Sequence, residues 1–168
     1  KCKDFLITIP LISLLMSKAM RPRHWEALIK VTKRTDFVPP TVNKNLLLGD
    51  LLSMNLHKLS NEGEEICDQA VKEEKIEQTL QHVRERWSKI TFVMNPYKKQ
   101  GSDEEIPLLG IAEEDFESLE NDQLVIQGML ASRFVAQFKD MVTKWHKSLF
   151  NVNEIFIMIA EIQRTWSY

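Results

Sequence analysis

Between Asn61 and Trp87 one apolar stripe keeps a single period: Ile66, Ala70, Ile76, Leu80, Val83 and Trp87, carried on to Ile90. Its steps are three or four residues, and only Glu73 interrupts it. That spacing places the apolar side chains on one face of an amphipathic α-helix of about 28 residues, roughly 40 Å long at 1.5 Å per residue. A face of that length needs other helices to cover it, so the stripe points to a helical bundle. Ser60 or Asn61 can cap the start, and Glu64 and Glu65 suit the positive end of the helix dipole. The charged side (Lys72, Glu74, Lys75, Glu77, Arg84, Glu85) reads as a solvated face with local ion pairs.

The rest of the chain supplies the covering elements. Phe5 to Met16 is an apolar run containing Pro10. It lacks a small-x-small cleavage site and is too short to span a bilayer, so it reads as a core-facing helix. Pro22 suits the first turn of the next helix, where its missing N–H costs nothing, and Trp25, Leu28, Ile29 and Thr32 mark that helix's buried face. Pro39-Pro40 make Lys33 to Asn45 a loop. A short helix follows over Leu46 to Leu56, with leucines at 47, 48, 51, 52 and 56.

The period then changes. Ile90 to Met94 is β-branched and aromatic, with Asn95-Pro96 as its stop, and Ile106 to Ile111 is apolar again beyond a polar loop with Gly101. Two such runs predict a β-hairpin over about residues 90–111, which must pack on helices to be stable. Past Glu113 the pattern is helical. Phe116, Leu119, Gln123, Ile126 and Leu130 mark one helix. Ser132 is placed to cap a second, with Phe134, Phe138, Val142, Trp145 and Leu149. Asn151 or Asn153 opens a last one, whose Ile155 to Ile162 is apolar almost all round and therefore expected to be central. The reading is mainly α: an elongated helical bundle with one small hairpin, in a single domain spanning 1–168. Its helical parts are 1–89 and 112–168, and the hairpin is 90–111.

Composition excludes several functions. The net charge is −2 and the cations are interspersed with acids, so no field favours nucleic acid or an anionic membrane. None of the five glycines precedes lysine, and no G-x-x-x-x-G-K-[ST], G-x-G-x-x-G, G-x-S-x-G or H-E-x-x-H is present. His24, His57, His82 and His146 are scattered, without metal-ligand spacing. No catalytic, cofactor or metal site is therefore expected. Cys2 and Cys67 lie 65 residues apart without C-x-x-C spacing and read as free thiols.

Two polar residues stand out. Glu73 breaks an apolar stripe, so it is expected half-buried against a lysine or arginine, or in contact with another domain. His24 reads more simply as a hydrogen-bonded helix-surface histidine than as a ligand or proton carrier. Trp25, Trp87 and Trp145 are expected on the inner faces of their helices.

These residues also fall in an ordered set of signatures: Arg23-His24-Trp25; Ala70-x-x-Glu73-x-x-Ile76-Glu77-x-x-Leu80 running into Trp87; Leu119-Glu120-Asn121, followed by Asp122-Gln123; and Gln163-x-x-Trp166. In this order they resemble the linker region of dynein heavy chains, from about Ile9 to Tyr168, and their wording is more similar to axonemal than to cytoplasmic dyneins. The resemblance implies a non-catalytic piece of a curved helical rod over an AAA+ ring, one that bends and straightens as the ring turns over ATP. It implies as partners the ring, the remaining linker and other dynein subunits, with microtubule contact only through the rest of the motor, and a place in the cytoskeleton of a cilium or flagellum. The ends agree with a piece of a longer chain: Lys1 is not methionine, and Trp166-Ser167-Tyr168 lies in a helix with no stop signal. An apolar patch is then expected near the C-terminus. The alternative is a helical scaffold or adaptor, which explains the stripes but not the hairpin or the tryptophan signatures.

Overall fold

The computed structural model describes residues 2–33, 37–40, 48–54, 56, 59–98, 101, 103 and 105–167, with residues 2–7 described by backbone alone. Most of the loop expected over Lys33–Asn45, Leu46 and Leu47 of the short helix, and the Cys2 side chain lie outside the described residues. The chain is mainly α-helical with one antiparallel two-stranded hairpin. It divides into two compact units, Lys1–Lys75 and Ile76–Tyr168.

The first unit holds α1 (Cys2–Leu15), α2 (Pro22–Thr32), α3 (Leu48–Ser53) and the opening half of α4 (Ser60–Trp87). Its core gathers Leu11, Leu15, Trp25, Leu28, Leu51, Leu56, Cys67 and Ala70. Pro10 sits inside α1 on an exposed side, where water can meet the carbonyl that it leaves unpaired. At Gly63 a Cβ would stand 2.9 Å from a Leu11 methyl carbon, so α4 has glycine where the Leu11 side chain of α1 packs against it. The prolyl start of α2 is as the sequence implies: Arg21 is extended and Pro22 occupies the first turn.

The far end of α2 is less comfortable. Lys33 closes it with φ of 55° and ψ of 26°, a left-handed conformation that costs a non-glycine residue roughly 1 kcal/mol. Lys33→Gly should therefore raise stability by about 0.5 kcal/mol, after the extra backbone entropy of glycine in the unfolded chain is subtracted. Urea unfolding of the two proteins checks this, and a loss of stability would contradict it.

The second unit holds the closing half of α4, β1 (Val93–Lys98), β2 (Glu105–Gly110), α5 (Glu113–Leu130), a 3-10 turn over Arg133–Phe138 and α6 (Lys139–Ser167). Ile76, Leu80, Val83, Leu119, Ile126, Val142 and Leu149 form its core. Ser132 caps the turn, its Oγ accepting the Phe134 N–H at 3.3 Å.

Three expectations are corrected here. The strand does not stop at Asn95-Pro96 but runs through them, with Pro96 opposite Pro107. In a two-stranded sheet both strands are edges, where a missing N–H is tolerated. Nor does a new helix start at Asn151 or Asn153, because α6 is continuous past both. Asparagine inside a helix costs only about 0.7 kcal/mol relative to alanine, and packing overrides that. The apolar stretch from Ile155 to Ile162 is not central either: Ile155, Ile157 and Met158 are half-exposed and Ile162 is 67% exposed. A helix that is apolar all round is buried only when neighbours surround it, and here no described residue beyond Val152 takes part in the core.

Candidate functional site

The first unit centres its polar chemistry on Glu73, which is 2% exposed. α4 points it from the apolar stripe towards the first turn of α2. Its Oε2 accepts the Arg23 Nε–H at 2.7 Å and a second bond from Arg23 Nη2. Its Oε1 accepts from Gln69 Nε2 at 2.7 Å, one turn earlier on α4. His24 Nε2 lies 3.1 Å from Oε2. The other imidazole nitrogen, Nδ1, accepts the Arg21 backbone N–H at 3.0 Å and so carries no proton. The Nε2–H tautomer follows: a neutral imidazole that donates to Glu73. His24 is thus not the surface residue expected from the sequence. It is 3% exposed and does the back-reaching half of a capping box, a place usually held by Glu or Gln.

The same arrangement sets the titration of both groups. Burial pushes the His24 imidazole below its usual 6.5. The Glu73 charge pulls it partly back and Arg23 pushes it down again, so the net shift is downward. For Glu73 burial pushes the carboxyl up, but the Gln69 and Arg23 hydrogen bonds, with the Arg23 and His24 charges, outweigh that and hold it below 4.5. The unfolded chain therefore takes up a proton at His24 before the folded chain does. Stability present above pH 6.5 drains away as pH falls below it, and Glu73 adds a second loss below 4.5. Urea midpoints should fall between pH 7 and 5. His24→Gln, which keeps the capping acceptor but does not titrate, should flatten that limb; an unchanged slope would remove His24 from the account.

In the second unit Asp122 plays the comparable part. It is buried, accepts Arg86 Nη1 at 2.6 Å on one oxygen, and accepts the Trp87 indole N–H at 2.9 Å on the other. Gln123 Nε2 donates to the Leu149 carbonyl at 3.1 Å, tying α5 to α6. Leu119 is fully buried in the same core. The Leu119-to-Gln123 signature is thus one core anchor and two polar pins on successive residues of α5. Sequence reasoning named Asp122 only as part of a signature, without a role, and did not single out Gln69. The signal was there for Asp122, an acid three residues after a core leucine and therefore on the buried side of α5.

The tryptophans divide. Trp25 is 1% exposed and stacks on Phe37 with centroids 5.9 Å apart. Trp87 and Trp145 are half-buried at the margin of the second core, and Trp166 is 47% exposed, set edge-on to Tyr97. Gln163 clasps the Leu109 backbone through both ends of its amide, 2.6 Å and 2.8 Å.

None of these groups is free to react. Among the described residues no buried side-chain nitrogen or oxygen lacks a partner, and no group of three or more His, Cys, Asp and Glu is placed to hold a metal ion. Burial, then Glu64, lifts the Cys67 thiol to about 11, which keeps it protonated and unreactive at neutral pH. An open cleft of about 470 Å³ in the second unit is lined by Thr79, His82, Arg86, Lys89, Asn121 and Asp122, among others, with mixed charge. Among the described residues no helix is long and apolar enough to cross a membrane.

Each unit is thus a helical packing unit, with its signature polar groups spent on holding its own elements together. The family model described as dynein heavy chain, N-terminal region 2, matches residues 1–168. Over 166 residues, 99% of its length, the chain is 43% identical to the dynein alpha chain, flagellar outer arm, of Chlamydomonas reinhardtii. Over the same span it is 36% identical to the ciliary dynein beta chain of Tripneustes gratilla and 31% to dynein axonemal heavy chain 17 of Homo sapiens. It spans about 4% of the length of each of these relatives. The chain belongs to the dynein heavy chain family.

Proposed function

We propose that this chain is a segment of the linker of an axonemal dynein heavy chain, a non-catalytic mechanical element. In this reading the parent motor hydrolyses ATP in an AAA+ ring outside the segment. The segment passes the ring's change of shape along the linker as a power stroke in microtubule-based movement. The observation that carries the reading is the match over the whole chain to one region of the dynein heavy chain, with flagellar, ciliary and axonemal chains among the relatives. Its physical support is local. A lever element needs helices that resist bending, and the 28-residue α4 and 29-residue α6 are packed and pinned by buried acids or side-chain clasps. The partners are then the ring and remaining linker of the same heavy chain and the other subunits of the complex, in the axoneme of a cilium or flagellum.

The test uses the intact motor. Loosening the Glu73 cluster with Glu73→Ala should slow microtubule gliding while ATP turnover in solution persists, because the stroke and not the chemistry is impaired. Gliding at wild-type speed by a motor whose first unit is measurably destabilised would overturn the mechanical role.

A further inference from the structure

The hairpin is held to α6 almost entirely by side chains. Leu109 N–H donates to Gln163 Oε1 and Gln163 Nε2 donates to the Leu109 carbonyl, so one side-chain amide satisfies both backbone groups of one strand residue. That is the pairing a residue of an adjacent antiparallel strand would make. The Leu109 groups therefore point away from β1, and Met94–Leu109 is a non-hydrogen-bonded pair of the ladder. Pro96–Pro107, two residues along, has the same parity, which is where two prolines cost the ladder nothing. The ladder bonds then belong to the pairs Val93–Gly110, Asn95–Leu108 and Tyr97–Ile106.

Other ties to α6 among the described residues lie in its C-terminal half. Phe92 meets Phe156 with centroids 5.5 Å apart, Tyr97 lies edge-on to Trp166, and the Tyr97 hydroxyl donates to the Ser167 carbonyl at 3.0 Å. No described residue from Val93 to Gly110 belongs to the buried core of the second unit. An isolated two-stranded hairpin is marginal in water, so this one is ordered by what it is fastened to. Gln163 and Trp166 stand three residues apart on one face of α6, which is the physical content of the Gln163-x-x-Trp166 signature.

We propose that β1–β2 is a strap latched on α6 by Gln163, which docks and releases as one unit while the helices of the second unit stay folded. Release uncovers the Leu109 N–H and carbonyl, an edge able to pair with another extended segment. While latched, the glutamine occupies that edge.

Amide hydrogen exchange on the 168-residue chain tests this, with Gln163→Met removing donor and acceptor at similar length, and Gln163→Glu keeping the acceptor alone. In the wild type the Leu109 amide should be protected although it faces away from β1. In Gln163→Met the ladder amides, Asn95, Tyr97, Ile106 and Leu108 among them, should all exchange faster by a common factor of roughly ten- to a hundred-fold, the effect of two lost hydrogen bonds. Amides of α6 from Val142 to Leu149 should keep their protection. Gln163→Glu should fall between the two, because its carboxylate faces the Leu109 carbonyl without a proton to donate. If only Leu109 accelerates, the other ties hold the hairpin and there is no latch. If the α5 and α6 amides accelerate with the hairpin, it is not a separable strap. Either result overturns the proposal.

Discussion

Glu73→Ala should lower the stability of the first unit by about 3 kcal/mol, near the bottom of the range for breaking a buried ion pair. Three donors lose their acceptor at once: the Arg23 guanidinium, the His24 Nε2–H and the Gln69 amide. They do not suffer alike. Arg23 is 36% exposed and turns to water, whereas His24 is sealed and its N–H is left unsatisfied, a loss of about 1–3 kcal/mol. Removing the buried charge relieves some desolvation, which keeps the total at the lower end. Glu73→Gln, which keeps an acceptor and the side-chain volume, should cost about 1 kcal/mol. Urea unfolding gives both values. A loss below about 1 kcal/mol for the alanine variant would mean that water replaces the carboxylate and that the site is not sealed.

Trp25→Ala should be costlier, about 3–5 kcal/mol, the range for a fully packed large aromatic truncated to alanine. The indole is 1% exposed, sits in the core with Leu11, Leu15 and Leu28, and stacks on Phe37. It neighbours His24 on α2, so its loss also loosens the helix start that presents Arg23 and His24 to Glu73. The effect should be confined: amides of α1 and α2 lose protection in hydrogen exchange, while those of α5 keep theirs. Equal loss in both units would show that they unfold together. Trp87→Ala should cost less, since Trp87 is half-buried, although it deprives Asp122 of one of its two donors.

Glu73 shows how far the linear chain can be read. Its place in an apolar stripe announced a buried acid that needs a cation, but not which of the 22 lysines and arginines would supply it. Arg23 is 50 residues away, and only the packing of α2 on α4 selects it. His24 reads as a surface residue from the sequence because local spacing cannot reveal that its face of α2 is covered. Gln163 was legible only as part of a signature: its partner is the backbone of Leu109, and a backbone amide has no residue type to recognise.

The sequence alone settled which segments are helical, where Pro22 starts one, that two short apolar runs form a hairpin, and that the chain is of dynein heavy chain type. Those are properties of local period, steric restriction and residue order, present before any long-range contact forms. Folding decided the rest. Whether Ile155 to Ile162 is central, whether α6 breaks at its asparagines, and which tryptophan is sealed all depend on how many neighbours reach a surface. Those neighbours come from distant parts of the chain, and burial is a property of the assembled packing that no window of sequence contains.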